Sequence, residues 1–321
     1  MRFTRALALG ASAMVLVSAC STGGGSSPSA AGSPAAGASS APAGAKPTVK
    51  VGSDGFYEAK LIAEIYAQAL EAGGYTVDRT GIGIGARKVS APALESGQID
   101  LKPEYIGSGL AYYEPGKQTG DPAANSAALQ AVLTTKGGGI TVLAYSPAAD
   151  QNAFVVRKDT ATQYNLAKLS DTTAVQDQLK WGLATDCKTN AVCAVALKSA
   201  YGLDPKNITP LAPCDTPMAQ ALVNKTIDVA ELCSTQPDIA VNGFVVLTDD
   251  KQTQPADNLA PLVRNDLLAK VDKTAFEKIL NSISAKMDTA TLTDLNKQIS
   301  VDKKDIPVVA KAWLQSAGLL K

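Results

Sequence analysis

The sequence predicts an α/β protein of two lobes joined by two crossing segments, preceded by an export leader and a spacer. Three observations lead there. About 275 residues follow Lys46, more than one compact core usually holds, so two lobes are expected. Strand-like and helix-like segments alternate along them, the pattern of a parallel sheet covered by helices. The first 46 residues, by contrast, have the composition of a leader and a linker.

Met1-Arg2-Phe3-Thr4-Arg5 is a basic head, followed by an apolar run from Ala6 to Leu16 and then Val17-Ser18-Ala19-Cys20. The run is shorter than the about 20 residues that span a bilayer, so residues 1–19 read as a secretory signal peptide. The small residues ahead of Cys20 resemble the lipobox of bacterial lipoproteins, which implies lipidation at Cys20. Ser21 to Lys46 is almost entirely Ser, Gly, Ala and Pro and cannot repay its ordering entropy by burial. Residues 20–46 are therefore expected to be lipid anchor and disordered linker, and the protein to work outside the cytoplasmic membrane, held to it by lipid alone.

Thr48–Ser53 is a first strand ending near a glycine. From Glu58 to Ala72, Leu61, Ile62, Ile65, Ala69 and Leu70 recur at helical spacing and stop at Gly73-Gly74. Tyr75–Arg79 is the second strand, Ser90–Ser96 a short helix, Ile99–Leu101 a third strand and Ile140–Leu143 a fourth. Ser146–Asp150 breaks the pattern and marks the first crossing; Ala153–Val156 opens the second lobe. That lobe continues with a strand at Trp181–Ala184, helices near Ala191–Tyr201 and Met218–Asn224, and a strand at Ile227–Leu232. Phe244–Leu247 and the polar Asp249-Asp250-Lys251 read as the return. Helices near Lys273–Met287, Thr291–Ser300 and Ile306–Ala317 finish the first lobe. Lobe one is then 47–146 plus 245–321, and lobe two 147–244. Ligands of such sheets sit beyond the carboxyl ends of strands, here in the cleft between lobes.

Thirty basic and thirty acidic residues balance, and losing the leader removes Arg2 and Arg5 only; without a basic patch, nucleic acid is excluded as a partner. The chain has no histidine, which removes Ser-His-Asp and Cys-His nucleophile pairs and the commonest zinc ligand. No carboxylate spacing singles out an acid/base pair, so no catalytic residue, metal or cofactor is expected. With Cys20 lipidated, Cys187, Cys193, Cys214 and Cys233 remain, an even number that suggests two disulfides in an exported protein. Three pairings are possible; sequence proximity favours Cys187–Cys193 with Cys214–Cys233. Gly81-Ile82-Gly83-Ile84-Gly85-Ala86 fits G-x-G-x-x-A, with Asp100 beyond it. It follows the second strand and not the first, in a compartment without free dinucleotide, so close backbone approach bringing Gly85 and Arg87 near the cleft is expected instead.

Four runs together resemble the substrate-binding proteins of glycine betaine/choline/osmoprotectant ABC transporters. Val51-Gly52-Ser53-Asp54-Gly55-Phe56-Tyr57-Glu58 is similar to the family's VGSKNFTEQ-type start. Ala93 to Ser108, ALESGQIDLKPEYIGS, is similar to its ALESGEIDLYPEYTGT block. Asp150–Val156 is similar to its NNTYAL run, and Asp228–Gln236 stands where it carries Tyr-Ser/Thr-Thr-Asp. The resemblance implies a periplasmic-binding-protein-like clamshell of type II. It would close on a small solute, glycine betaine, choline or a relative, and deliver it to a permease with a separate ATPase, acting as a monomer. A different solute (an amino acid, carboxylate or aromatic compound) or a sensing role is the alternative.

The family's aromatic cage holds a methylated cation that cannot donate hydrogen bonds, and a cationic or polar clamp reads a carboxylate. Tyr105 matches the cage tyrosine of the EYTG run; Lys102, Phe154 and Cys233 stand where the family has three others. The expected ligand contacts are therefore Phe56, Tyr105 and Phe154 on the cationic part. Ser53, Asp54, Asp150, Gln151 and Asn152 would bind through hydrogen bonds, and Arg87 or Lys102 would be available for an anionic group.

Overall fold

Two five-stranded sheets organise residues 46–320, the part of the chain that the computed structural model describes. Cys20 and the leader and linker lie outside the described residues. The chain begins with β1 (Thr48–Asp54), α1 (Tyr57–Ala72), β2 (Thr76–Gly85), α2 (Arg87–Ser96), β3 (Leu101–Tyr105), α3 (Ile106–Tyr113), α4 (Pro122–Leu133) and β4 (Ile140–Val142). It crosses to β5 (Asn152–Val156), α5 (Lys158–Tyr164), β6 (Trp181–Ala184), the short α6 (Ala194–Ala196) and β7 (Ile208–Leu211). The second lobe continues with α7 (Thr216–Val223), β8 (Val229–Cys233), α8 (Asp238–Val241) and β9 (Val245–Val246). The return adds β10 (Leu259–Arg264), α9 (Asn265–Leu268), α10 (Lys273–Ser284), α11 (Thr289–Ser300) and α12 (Ile306–Ser316).

Strand order is β2-β1-β3-β10-β4 in the first sheet and β7-β6-β8-β5-β9 in the second. The first sheet is mixed and not parallel as the alternation predicted. β1 runs parallel to β2 and β3, but the returning β10 inserts antiparallel between β3 and β4. In the second sheet β6 is parallel to β7 and β8, and β5 antiparallel to β8 and β9.

Side-chain alternation splits each sheet between two cores. Leu259 and Val263 of β10 face the layer of α1 and α10–α12, while Ala260 and Leu262 face that of α2–α4. In β5, Phe154 and Val156 join Trp181, Leu183 and Val229, whereas Ala153 and Val155 meet Met218, Leu222 and Ile227. The helices on the first face are cut to register by caps: Asp272 accepts from Ala275 N and Asp288 from Thr291 N.

Both crossings lie later than the sequence placed them. Ser146, Ala148 and Asp150 donate their amides to Leu259, Met287 and Asp257, so 146–150 stay with the first lobe. Val245 and Val246 pair with Val156 and Val155, and Thr248 N bonds Ala167 O, so the return leaves the second lobe only after Thr248. The second crossing is late because this apolar pair covers the otherwise open edge of β5. Cys187 is bonded to Cys193, and Cys214 to Cys233.

Candidate functional site

The ends of β1, β2 and β3 in one lobe and of β6, β7 and β8 in the other meet around a cavity of about 360 Å³. The first lobe contributes Asp54 at the end of β1 and Phe56 after it, Gly85 at the end of β2 with Ala86 and Arg87 after it, Tyr105 and Ser108, and Asp257 from the return. The second contributes Asp186 and Asn190 after β6, Pro213–Asp215 after β7, and Glu231 and Cys233 of β8. Asp150 and Asn152 enter from the first crossing.

Phe56 supplies the N-cap of α1, and its half-buried ring lies 5.9 Å, centroid to centroid, from that of Tyr105, with the planes tilted by 32°. Tyr105 is held from behind. Its hydroxyl donates to Glu58 of α1, which also accepts from Thr235 of the second lobe (2.6 Å) and from Asn296 of α11. Asp150 accepts from the Thr235 amide (3.0 Å) and the Ser234 hydroxyl (3.1 Å). Burial drives the carboxyl groups of Glu58 and Asp150 above the usual carboxylate range, and in Asp150 the proximity of Glu58 adds to it. One polar knot thus orients an aromatic face and ties the two lobes together.

Below the cavity lies a second network. Lys102 is completely buried, with Nζ 3.0 Å from Asp54, 2.9 Å from Glu104 and 2.9 Å from the Ser90 hydroxyl. Burial alone would lower its pKa, but Asp54 and Glu104 more than offset that. Arg87 places Nε and Nη2 on the same Glu104 oxygen, at 3.0 and 2.8 Å. Burial works against ionisation of Glu104, yet Arg87 and Lys102 hold its carboxyl down at about 2. Two cations and two carboxylates therefore balance one another inside the first lobe.

Among the described residues, the other carboxylates facing the cavity have no cation bonded to them, although Arg87 acts on Asp257 from a distance. Burial lifts Asp257 to about 6, although it accepts from Ser108 N and Oγ. Burial lifts Glu231 to about 7 against the Ala184 amide on its Oε2 (2.8 Å), with Asp186 adding to the rise. The site can therefore offer a cation an aromatic face from the first lobe and carboxylates from both lobes.

Of the residues the sequence suggested, Asp54, Phe56, Arg87, Tyr105, Asp150 and Asn152 line this cavity. Four do not. Ser53 is fully buried and joins β1 to β2, its hydroxyl accepting from Gly83 N and donating to Asp54 O. Lys102, expected to grip an anionic group, is sealed beneath the floor by Asp54 and Glu104. Gln151 donates to Pro255 O, bracing the two crossings. Phe154 packs in the second lobe's core; it and Gln151 border a separate, wider groove of about 970 Å³. The glycine run is the end of β2, and a Cβ on Gly81 or Gly52 would collide with Ile99, which explains close packing there. Sequence reasoning missed Glu231, Asp186, Asn190, Asp215 and Asp257. Glu231 alone left a signal, a carboxylate in the middle of the apolar run Val229–Cys233.

Residues 47–316 match the family model described as the substrate binding domain of ABC-type glycine betaine transport system. The chain is 29% identical over 295 residues to the glycine betaine-binding protein YehZ of Escherichia coli (strain K12), covering 88% of this chain and 94% of that one. It is 26% identical over 273 residues to the carnitine transport binding protein OpuCC of Listeria monocytogenes serotype 1/2a (strain 10403S), covering 84% and 87%. Its fold is that of a solved glycine betaine/carnitine/choline ABC transporter structure, with a TM-score of 0.65, 24% identity, and coverage of 85% of this chain and all of that one.

Proposed function

The chain belongs to the substrate-binding domains of ABC-type glycine betaine transport systems, and from that premise we propose that it captures a quaternary ammonium solute in the interlobe cavity for delivery to a permease. The observation that carries the reading is that the paired rings of Phe56 and Tyr105 from one lobe and the carboxylates Glu231 and Asp186 from the other line the same cavity. Aromatic faces attract a methylated cation that offers no hydrogen bonds, and the carboxylates supply the opposite charge. The cavity is at the small end of ligand sites, which run from about 300 Å³ upward, and that suits betaine, choline or carnitine better than a peptide or an oligosaccharide.

In this reading the contacts are Phe56 and Tyr105 on the ammonium group and Asp54, Asp150 and Asn152 around it. Arg87 stands at the cavity wall. Asp186, Asp215 and Glu231 complete the second side. The protein acts as a monomer, has no catalytic activity of its own, and works outside the cytoplasmic membrane on a lipid carried by Cys20. No described helix is long and apolar enough to cross a membrane.

A thermal-shift screen tests the solute class, because a ligand that binds only the folded state raises the melting temperature. Glycine betaine, choline, carnitine and proline betaine form one set, and neutral sugars and amino acids the other. A shift with at least one quaternary ammonium compound is expected. Shifts confined to the second set would overturn the reading.

A further inference from the structure

Resting on that reading, we propose that the cavity selects a compact cation without a carboxylate over a zwitterion of similar size, and that Glu231 of β8 is the counter-charge that makes the selection. The first observation is that the cavity offers a carboxylate little uncompensated positive charge. Among the described residues Arg87 is the one basic side chain lining the cavity, and both its Nε and Nη2 are on Glu104. Lys102 is out of reach, completely buried against Asp54 and Glu104. A ligand carboxylate would meet only the Nη1 edge of a guanidinium whose charge Glu104 already balances, and it would sit among Asp150, Asp186, Asp215 and Asp257, which repel it.

The second observation points the other way, to a missing cation. Glu231 is 1% exposed. Its strand neighbours are Ala230 and Leu232, and its partner across the antiparallel pair is Phe154, so nothing in the sheet compensates its charge. Its Oε2 accepts from the Ala184 amide; among the described residues no donor reaches Oε1. A carboxylate buried this way is expensive unless something pairs with it. Burial and Asp186 accordingly push its carboxyl up to about 7. The groups facing it are Asp186 from the β6 end and the Cys187–Cys193 bridge, which does not titrate. Asp54, Arg87, Asp150, Asp215 and Asp257 line the rest of the cavity. A bound cation favours the ionised form of Glu231, so binding releases a proton near neutral pH and strengthens as pH rises.

The test is calorimetric titration of the purified full-length chain with choline chloride and with glycine betaine, for the wild type and for Glu231→Gln. Glutamine keeps an acceptor for the Ala184 amide. Choline should bind the wild type at least about tenfold more tightly than glycine betaine, and Glu231→Gln should remove most of that ratio. In the wild type, choline affinity should rise severalfold from about pH 6 to pH 8, with proton release seen between buffers of different ionisation heat. The pH arm stands even if the variant does not fold. Tighter binding of glycine betaine, a ratio unchanged in Glu231→Gln, or choline binding without proton release overturns the charge selection and leaves the quaternary ammonium reading intact. Binding of neither compound, with a thermal shift from sugars or amino acids only, overturns both.

Discussion

Replacing Lys102 by methionine distinguishes a lysine that serves the ligand from one that holds the fold. Methionine matches the apolar stem and deletes the charge. In the native protein that charge sits within 3.0 Å of Asp54 and 2.9 Å of Glu104, with no exposure to solvent. Removing one partner of a buried ion pair costs about 3–5 kcal/mol, because the other is left uncompensated. Here Glu104 keeps Arg87 at 2.8 Å and Asp54 keeps the Ser90 hydroxyl, so the lower end, about 3 kcal/mol, applies. At roughly 2–4 °C per kcal/mol for a body of 150–250 residues, the melting temperature should fall by about 6–12 °C. The assay is thermal unfolding of the ligand-free protein at neutral pH, followed by far-ultraviolet circular dichroism.

The pH dependence follows from Glu104. Its folded pKa is depressed from 4.5 to about 2, a value reached against burial by Arg87 and Lys102. That depression stabilises the fold above the unfolded value and the stabilisation is lost as pH falls through about 2. The gap between wild type and Lys102→Met should therefore narrow between pH 4.5 and about 2. A melting temperature lowered by less than about 2 °C, together with lost binding of a carboxylate-bearing solute, would refute the reasoning. It would mean that Lys102 reaches the cleft after all.

Tyr105→Ala should weaken binding of a quaternary ammonium solute by roughly 1–2 kcal/mol. Tyr105→Phe, which keeps the ring and drops only the bond to Glu58, should bind nearly as well; equal losses in the two variants would assign the effect to the Glu58 knot and not to the aromatic face. Cys20→Ser should move the exported chain from the membrane fraction to the soluble one, and retention in the membrane would remove the case for a lipid anchor.

How far the fold could be read depended on where each element's reasons lie. α1 and α10–α12 carry their apolar spacing locally, so their existence was visible. β10 was not, because Pro261 reads as a strand breaker. In the structure Pro261 stands opposite Pro103, and its carbonyl accepts from Leu143 N on the β4 side. Its missing N–H faces that same side, beyond Val142, so the ladder to β3 loses nothing. The wrong expectation for Lys102 has a similar origin. A lysine between Leu101 and Pro103 announces neither burial nor exposure, and its partners, Asp54, Ser90 and Glu104, gather only when β1, α2 and β3 are packed.

The cavity was half legible for the same kind of reason. Asp54, Phe56 and Tyr105 lie at strand ends of one lobe, in runs whose family resemblance is local. Glu231, Asp186 and Asp215 matter only because another lobe faces them, and no local pattern records that. This asymmetry bears on how the protein would work. The first lobe balances Arg87 and Lys102 against Asp54 and Glu104 by itself and offers the cavity an aromatic face. The second lobe brings a carboxylate, Glu231, without a cation. On the proposed charge selection, a cation held against Phe56 and Tyr105 gains the Glu231 counter-charge only when the second lobe is near. A ligand shifts a conformational equilibrium by its difference in affinity for the two states. The group that chooses the ligand would then also be the group that makes closure depend on it, and a zwitterion, repelled by Glu231 at its carboxylate end, would lose on both counts.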